Sequence, residues 1–219
     1  VAERTAEDHL RDEYFTLLPR IRETAEELEA EVRYLLVPFL RGRQSYERIA
    51  VKSRIKECES AIASLRRRQE TGKFLAPGSG CLSLRSLNDL AGVRILAFPR
   101  HRILEIDNAI RARFGDWVAD PVPAVPGTER SLALKYRGYC NAYCSVRAEV
   151  QLMSMLVGLF WEVEHAALYK PGAKLRGMEL SLRMRERNAE VIRALSAFES
   201  DFESIACAKP SPTEAEVTS

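Results

Sequence analysis

The sequence predicts a mixed α/β domain, with a small central mixed β-sheet flanked by N- and C-terminal helices. Three observations predict it. Apolar residues recur at helical spacing near both ends, the middle of the chain carries short apolar or alternating runs, and loops rich in Gly and Pro punctuate the change of period. Helices, then strands with interleaved helices, then helices again is the element order of such a domain.

The elements follow in order. Residues 6 to 40 read as a helix, because "AEELEAEVRYLLVPFL" places Leu28, Val32, Leu35 and Leu36 on one stripe. A second helix is expected from about Tyr46 to Arg68, with Ile49, Ile55, Ile62 and Leu65 on its apolar side and Arg48, Lys52, Arg54 and Lys56 on its basic side. "TGKFLAPGSGC" is a loop, and "AGVRILAF", closed by Pro99, is a buried strand. "PRHRILEIDNAIRARFG" returns to a helical period and stops at Gly115. "DWVADPVPAVPGTERS" is a short strand followed by a Pro-rich loop. "LALKYRGYCNAYCSVRAEVQL" is strand-like, with Gly138 as a bend or bulge and with Cys140 and Cys144 on one face, too far apart to bridge. "MSMLVGLFWEVEHAALYK" is a helix ended by Pro-Gly, residues 174 to 206 are a last helix, and the final segment reads as a disordered tail. The domain organisation expected is a helical region over 1–45, a central domain over 46–172, a C-terminal helix over 173–207 and a tail over 208–219.

A length of 219 residues suffices for one sizeable domain, and 29% charged residues with no membrane-length apolar run or signal peptide point to a cytoplasmic, soluble chain. Five cysteines without a framework read as reduced thiols, and three histidines without a tight Cys/His cluster argue against a zinc site. The net charge of +2 conceals basic clusters such as "LRRRQETGK", which suit phosphate-bearing ligands or a solvated helix face.

The stretch "RAEVQLMS" raises the functional question. As a strand it puts Ala148, Val150 and Leu152 on one face and Glu149 and Gln151 on the other. A solvated sheet face accounts for that simply. A sharper account needs a second acid, and Asp89 stands just before "AGVRILAF", at the mouth of another strand. Two converging carboxylates suit Mg²⁺ shared with substrate phosphates.

Five segments then occur in a telling order: "SRIKECES", "NDLAGVRILAFP", "YRGY", "AEVQLMS" and "WEVEHAALYKP". Together they resemble the RelA/SpoT nucleotidyltransferase domain, the synthetase domain of (p)ppGpp alarmone enzymes, over roughly residues 46 to 172. The chain looks like a small alarmone synthetase, nearest the divergent branch that includes toxic small alarmone synthetases. The resemblance implies a nucleotidyltransferase-like sheet and transfer of the β,γ-pyrophosphoryl group of ATP to a ribose 3′-hydroxyl with Mg²⁺ as cofactor. It implies that Arg54, Lys56, Ser60 and Arg94 bind ATP, and that Asp89 and Glu149 serve the metal and the acceptor hydroxyl. Tyr139 would stack on the acceptor base, with Lys135, Arg137 and Gln151 as further acceptor contacts and His165 buttressing the site from behind.

The chain departs from the family pattern at Ser64, Cys140 and Tyr143, where basic or histidine residues are usual, and it lacks the Lys-Asp-Tyr motif. Three function classes follow: a pyrophosphokinase using GDP, GTP or an adenine nucleotide; a toxin-like enzyme acting on the tRNA 3′ end, with an antitoxin as partner; and a catalytically weak nucleotide-binding module. Asp89→Asn and Glu149→Gln are expected to abolish transfer and, as changes at exposed polar positions, to leave the fold intact.

Overall fold

The computed structural model describes residues 5–71, 82–123, 131–141, 144–168 and 179–206. The first helix, α1 (Ala6–Leu40), starts at a capping box: the Thr5 hydroxyl accepts the Asp8 N–H, and the Asp8 carboxylate accepts the Thr5 N–H at 3.0 Å. Its buried stripe runs through Leu10, Tyr14, Leu17, Ile21, Leu28, Val32 and Leu36.

The helix expected from Tyr46 is instead a strand, β1 (Arg48–Ile55), followed by a shorter helix, α2 (Cys58–Glu70). The period explains the correction. Ile49, Val51 and Ile55 alternate with Arg48, Lys52 and Arg54, and the even, six-residue interval between the isoleucines fits a strand, whereas on a helix it would set them about 120° apart. Arg54 and Lys56 therefore do not share a helix.

The remaining elements are β2 (Ala91–Phe98), α3 (His101–Arg113), β3 (Val118–Pro123), β4 (Ser131–Gly138), β5 (Ala148–Ser154), α4 (Met155–Leu168) and α5 (Glu179–Ala206). The expected strand-like stretch from 132 to 152 is thus two strands joined by a turn, in which the Cys144 N–H donates to the Asn141 carbonyl at 3.2 Å. Cys140 and Cys144 therefore do not share a face of one continuous strand, and both are free thiols. Gly138 does not bend the chain. It pairs with Ala148 as the last residue of β4, and a Cβ there would lie 2.4 Å from the Trp117 ring, so glycine is what admits the indole.

The five strands form one mixed sheet in the order β1-β2-β5-β4-β3. β2 and β5 run parallel at its centre, and every other pair is antiparallel. Both central strands are buried almost throughout, as strands covered on both faces must be. Register separates the two faces. On one, Val93, Val150 and Tyr136 align, as do Ile95, Leu152 and Leu134, and they join α1 and α3 in the main hydrophobic core. The first helix is therefore one wall of the core that supports the sheet.

The other face is graded. Leu96, Met153 and Ala133 form an apolar row that packs with Val157 of α4 and Ile192 of α5. Ala50, at the β1 edge of that row, is exposed and takes no part in the packing. The next two rows carry charge. Among the described residues no helix is long and apolar enough to cross a membrane. Tyr143 and the segments 169–178 and 207–219, with the expected tail, lie outside the described residues, as does the side chain of His165 on α4.

Candidate functional site

Two register rows on the graded face build the site. The first is Arg54, Gly92, Glu149 and Arg137, and the second is Lys52, Arg94, Gln151 and Lys135, each read across β1, β2, β5 and β4. Period-two alternation in four strands places eight such residues on one side of the sheet. Gly92 is required in its row, since a Cβ there would meet the Glu149 carbonyl oxygen at 2.7 Å. Its absent side chain also leaves the Arg54 stem lying beside it, 3.5 Å from where that Cβ would be.

Asp89 stands two residues before β2, at the same end of the sheet as Glu149, because Gly92 and Glu149 are register partners on parallel strands. Neither acid is exposed as the sequence suggested: Glu149 is buried and Asp89 half-buried. Glu149 is 4% exposed, and the Asp89 side chain 19%. A polar strand face survives burial because its groups satisfy one another. Each acid has its own cation. Lys56 Nζ donates to Asp89 Oδ2 at 2.6 Å, while the Lys56 N–H donates to the Leu90 carbonyl at 2.9 Å and ties the segment after β1 to the mouth of β2. Burial works to raise the Asp89 carboxyl, but the charge and hydrogen bond of Lys56, with the charges of Arg54 and Arg68, outweigh it and hold Asp89 below the usual carboxylate range. Burial also pushes the Lys56 ammonium down, and Asp89 only partly restores it.

Glu149 is engaged on both oxygens. Gln151 Nε2 donates to Oε1, and Arg137 Nε donates to Oε2 at 2.9 Å. Arg137 also reaches Asp120 Oδ2 with Nη1 at 2.8 Å. Burial disfavours the Arg137 charge, and these two carboxylates more than compensate. Arg94 Nε and Nη2 donate to Gln151 Oε1 at 3.0 and 2.9 Å, and Nη1 donates to Glu162 Oε1 at 2.5 Å. Glu162, on α4, also faces Lys52 Nζ at 3.6 Å. The Trp161 ring lies against two cations, with Arg94 Cζ 5.3 Å and Lys135 Nζ 5.9 Å from its centroid.

The expected site residues are thus distributed as follows. Arg54, Lys56, Arg94, Asp89, Glu149, Gln151, Arg137 and Lys135 occupy the two rows or the mouth of β2. Ser60 sits half-buried in the first turn of α2. Tyr139 follows β4 directly, is 44% exposed, and has the Arg147 guanidinium over its ring at 5.2 Å; Arg147 in turn donates to the Asn88 side chain at 3.0 Å, next to Asp89. Sequence reasoning missed Glu162, Asp120, Arg147 and Arg68. Glu162 and Arg147 stood inside quoted segments and Arg68 inside the basic cluster "LRRRQETGK", but none was singled out; Asp120 carried no local signal.

The donor set fits Mg²⁺. Asp89 Oδ1 is buried and accepts no hydrogen bond, and Arg68 Nη2 lies beyond hydrogen-bond reach at 3.8 Å. An orphaned carboxylate oxygen in such surroundings is suited to a cation. Among the described residues no three His, Cys, Asp or Glu side chains form a cage. Mg²⁺ does not need one, since it is commonly held by one or two carboxylates with substrate phosphates and water.

No protein-family model and no curated protein matches this chain. Solved structures do. The small alarmone synthetase 1 from Bacillus subtilis bound to its product pppGpp is 21% identical at a TM-score of 0.63, with 88% of this chain and 97% of that one covered. The same synthetase bound to AMPCPP gives 19%, 0.63, 88% and 98%. A GTP pyrophosphokinase family protein from Streptococcus pneumoniae gives 19%, 0.62, 89% and 94%. The chain shares the fold of these proteins over nearly their whole length.

Proposed function

We propose that this chain is an ATP-dependent nucleotide pyrophosphokinase of the small alarmone synthetase kind. It transfers the β,γ-pyrophosphoryl group of ATP to the ribose 3′-hydroxyl of a purine nucleotide. The observation that carries this reading is the pair of charged rows. They set Asp89 and Glu149 at one end of adjacent parallel strands, with Arg54, Lys56, Arg94 and Arg137 around them. The neighbouring structures supply the same fold, and one of them binds pppGpp and an ATP analogue.

In the reaction a bond forms between the acceptor 3′-oxygen and the β-phosphorus. The bond from the β-phosphorus to the α–β bridging oxygen breaks, AMP leaves, and the hydroxyl proton is released. Such chemistry asks a protein chiefly for positioning and charge neutralisation. Arg54, Arg94 and Lys56 form the donor side, two guanidinium planes and one point charge for the base and phosphates of ATP. Asp89 and Glu149 would hold Mg²⁺, which when bound neutralises phosphate charge. Glu149 also accepts the acceptor hydroxyl's proton or hydrogen bond. Arg137 and Lys135 face the acceptor, and Tyr139 offers a ring to its base. Lys56 and Arg137 neutralise the two acids, and incoming phosphates compete for those cations.

The test incubates the protein with Mg²⁺ and γ-labelled ATP against GDP, GTP, ADP, ATP and deacylated tRNA in parallel. Label is expected on a purine nucleotide and not in Glu149→Gln, which keeps the shape of the side chain and loses its charge. Label on tRNA alone would move the assignment to the tRNA 3′ end. Wild-type turnover in Glu149→Gln, or no transfer to any acceptor, would overturn the proposal.

A further inference from the structure

Gln151 was expected from the sequence to touch the acceptor. In the structure it is 2% exposed, and both ends of its amide are engaged inside the protein. The chemistry of its neighbours fixes which end faces which. Arg94 has only donors, so the group turned toward it is the carbonyl oxygen, which receives two of its N–H bonds. An ionised Glu149 has only acceptors, so the group turned toward it is the NH₂. Arg94 is itself immobilised, by Glu162 on one side and the Trp161 face on another. A rotated amide would set Oε1 against the Glu149 carboxylate and the NH₂ against the guanidinium, a double mismatch in a buried site.

We propose that Gln151 is a positioning residue, its amide locked in one orientation by Arg94 so that its NH₂ holds the Glu149 carboxylate in place. The inference rests on the reading of Arg94 as a donor-side cation and Glu149 as the acceptor-side acid. It makes Gln151 the only amide in a continuous run from Lys52 through Glu162, Arg94, Gln151, Glu149 and Arg137 to Asp120. The run spans the sheet from the donor edge to the acceptor edge, so the order of one half is imposed on the other. Gln151 therefore acts through Glu149 and does not itself touch either nucleotide.

Two measurements on the full chain test this. In protein labelled with ¹⁵N-glutamine, the Gln151 NH₂ pair is assigned by its loss in Gln151→Met. It is expected as two resolved, slowly exchanging proton signals that merge or move strongly in Arg94→Met. An amide pair unaffected by Arg94→Met would overturn the lock. In the transfer assay, Gln151→Met is expected to lower kcat about tenfold to a hundredfold. The KM for acceptor and the affinity for AMPCPP are expected to stay within about threefold of wild type. Gln151→Glu keeps an acceptor for Arg94 but gives Glu149 no donor, so it should fail to rescue kcat. A raised acceptor KM at unchanged kcat would make Gln151 a direct contact and overturn the proposal. If wild type transfers to no acceptor, the proposed function fails and the amide signals alone decide the lock. If Gln151→Met does not fold, Gln151→Glu carries the kinetic comparison and the signal assignment, and the amide signals in Arg94→Met decide the lock.

Discussion

Asp89→Asn is the substitution whose cost the structure lets one work out. The Lys56–Asp89 side chains are 11% and 19% exposed, and their contact is a short 2.6 Å hydrogen bond. Removing one partner of a fully buried pair costs about 3–5 kcal/mol. Asparagine keeps an oxygen for Lys56 Nζ, so the bond survives with one charge instead of two, and the flexible lysine stem can carry its ammonium toward water. Both effects reduce the loss to about 2 kcal/mol. For 219 residues that corresponds to a Tm lower by about 4–8 °C. The pH dependence has a defined sign. A carboxylate held below its ordinary value contributes stability that is fully present above that value and is lost as pH falls through the lower folded one. The gap between wild type and variant should therefore be constant from about pH 8 to 5 and close only below about pH 4. Urea unfolding at pH 7 and 5, at low and moderate salt, measures it, and a buried pair should respond little to salt. Transfer should be lost in the same variant. A stability within about 0.5 kcal/mol of wild type would refute the reasoning, because that is the range of an ordinary surface change.

Three further outcomes follow from other positions. Gly92→Ala forces a methyl to 2.7 Å from a backbone oxygen of the adjacent strand and should cost about 1–3 kcal/mol in urea unfolding; a variant as stable as wild type would contradict the register. Glu199 is 2% exposed and takes the Ser154 hydroxyl, and burial raises its carboxyl above the ordinary value. Wild-type stability should therefore fall as pH rises above about 4.5, where the unfolded chain has already ionised, and Glu199→Gln should flatten that part of the profile without loss at pH 7. Tyr139→Ala should weaken acceptor use far more than AMPCPP binding, and equal losses in paired calorimetric titrations would remove Tyr139 from the acceptor side.

Much of the fold was legible because burial imposes a period. The long first helix, the buried strand at Ala91 and the alternation around Glu149 all read correctly from apolar spacing. β1 did not, because Ile55 stands seven residues before Ile62 of α2, a helical interval that carries the helical reading back across the strand boundary. The turn at Cys140 was missed for a related reason: no Gly or Pro marks it, and Gly138 before it serves the Trp117 ring. In the candidate site, the charged residues at alternating positions announced themselves, but their partners did not. Lys56 with Asp89 and Arg137 with Glu149 are contacts between strands, and strand order is not written in any one segment. Nor was the burial of Gln151 visible, since an amide on a strand reads as solvated until both its neighbours are known.

The position of β5 between β2 and β4 has a consequence for synthesis. A chain that has emerged only as far as residue 147 has every strand except the central one. β2 then has one unpaired edge, β4 has another, and neither can close on the other because the strand that belongs between them is still to come. Exposed edges of this kind invite pairing with other chains. Asp89 and Lys56 can meet early, because β1 and β2 form a local unit, but β5 is the last strand to arrive, and its Glu149 and Gln151 complete the two charged rows together. The site has no half-built stage with both acids in place. Chains ending before residue 148 lack Glu149 and the strand that joins the two charged rows, so on the proposed reading transfer begins only when the sheet is whole.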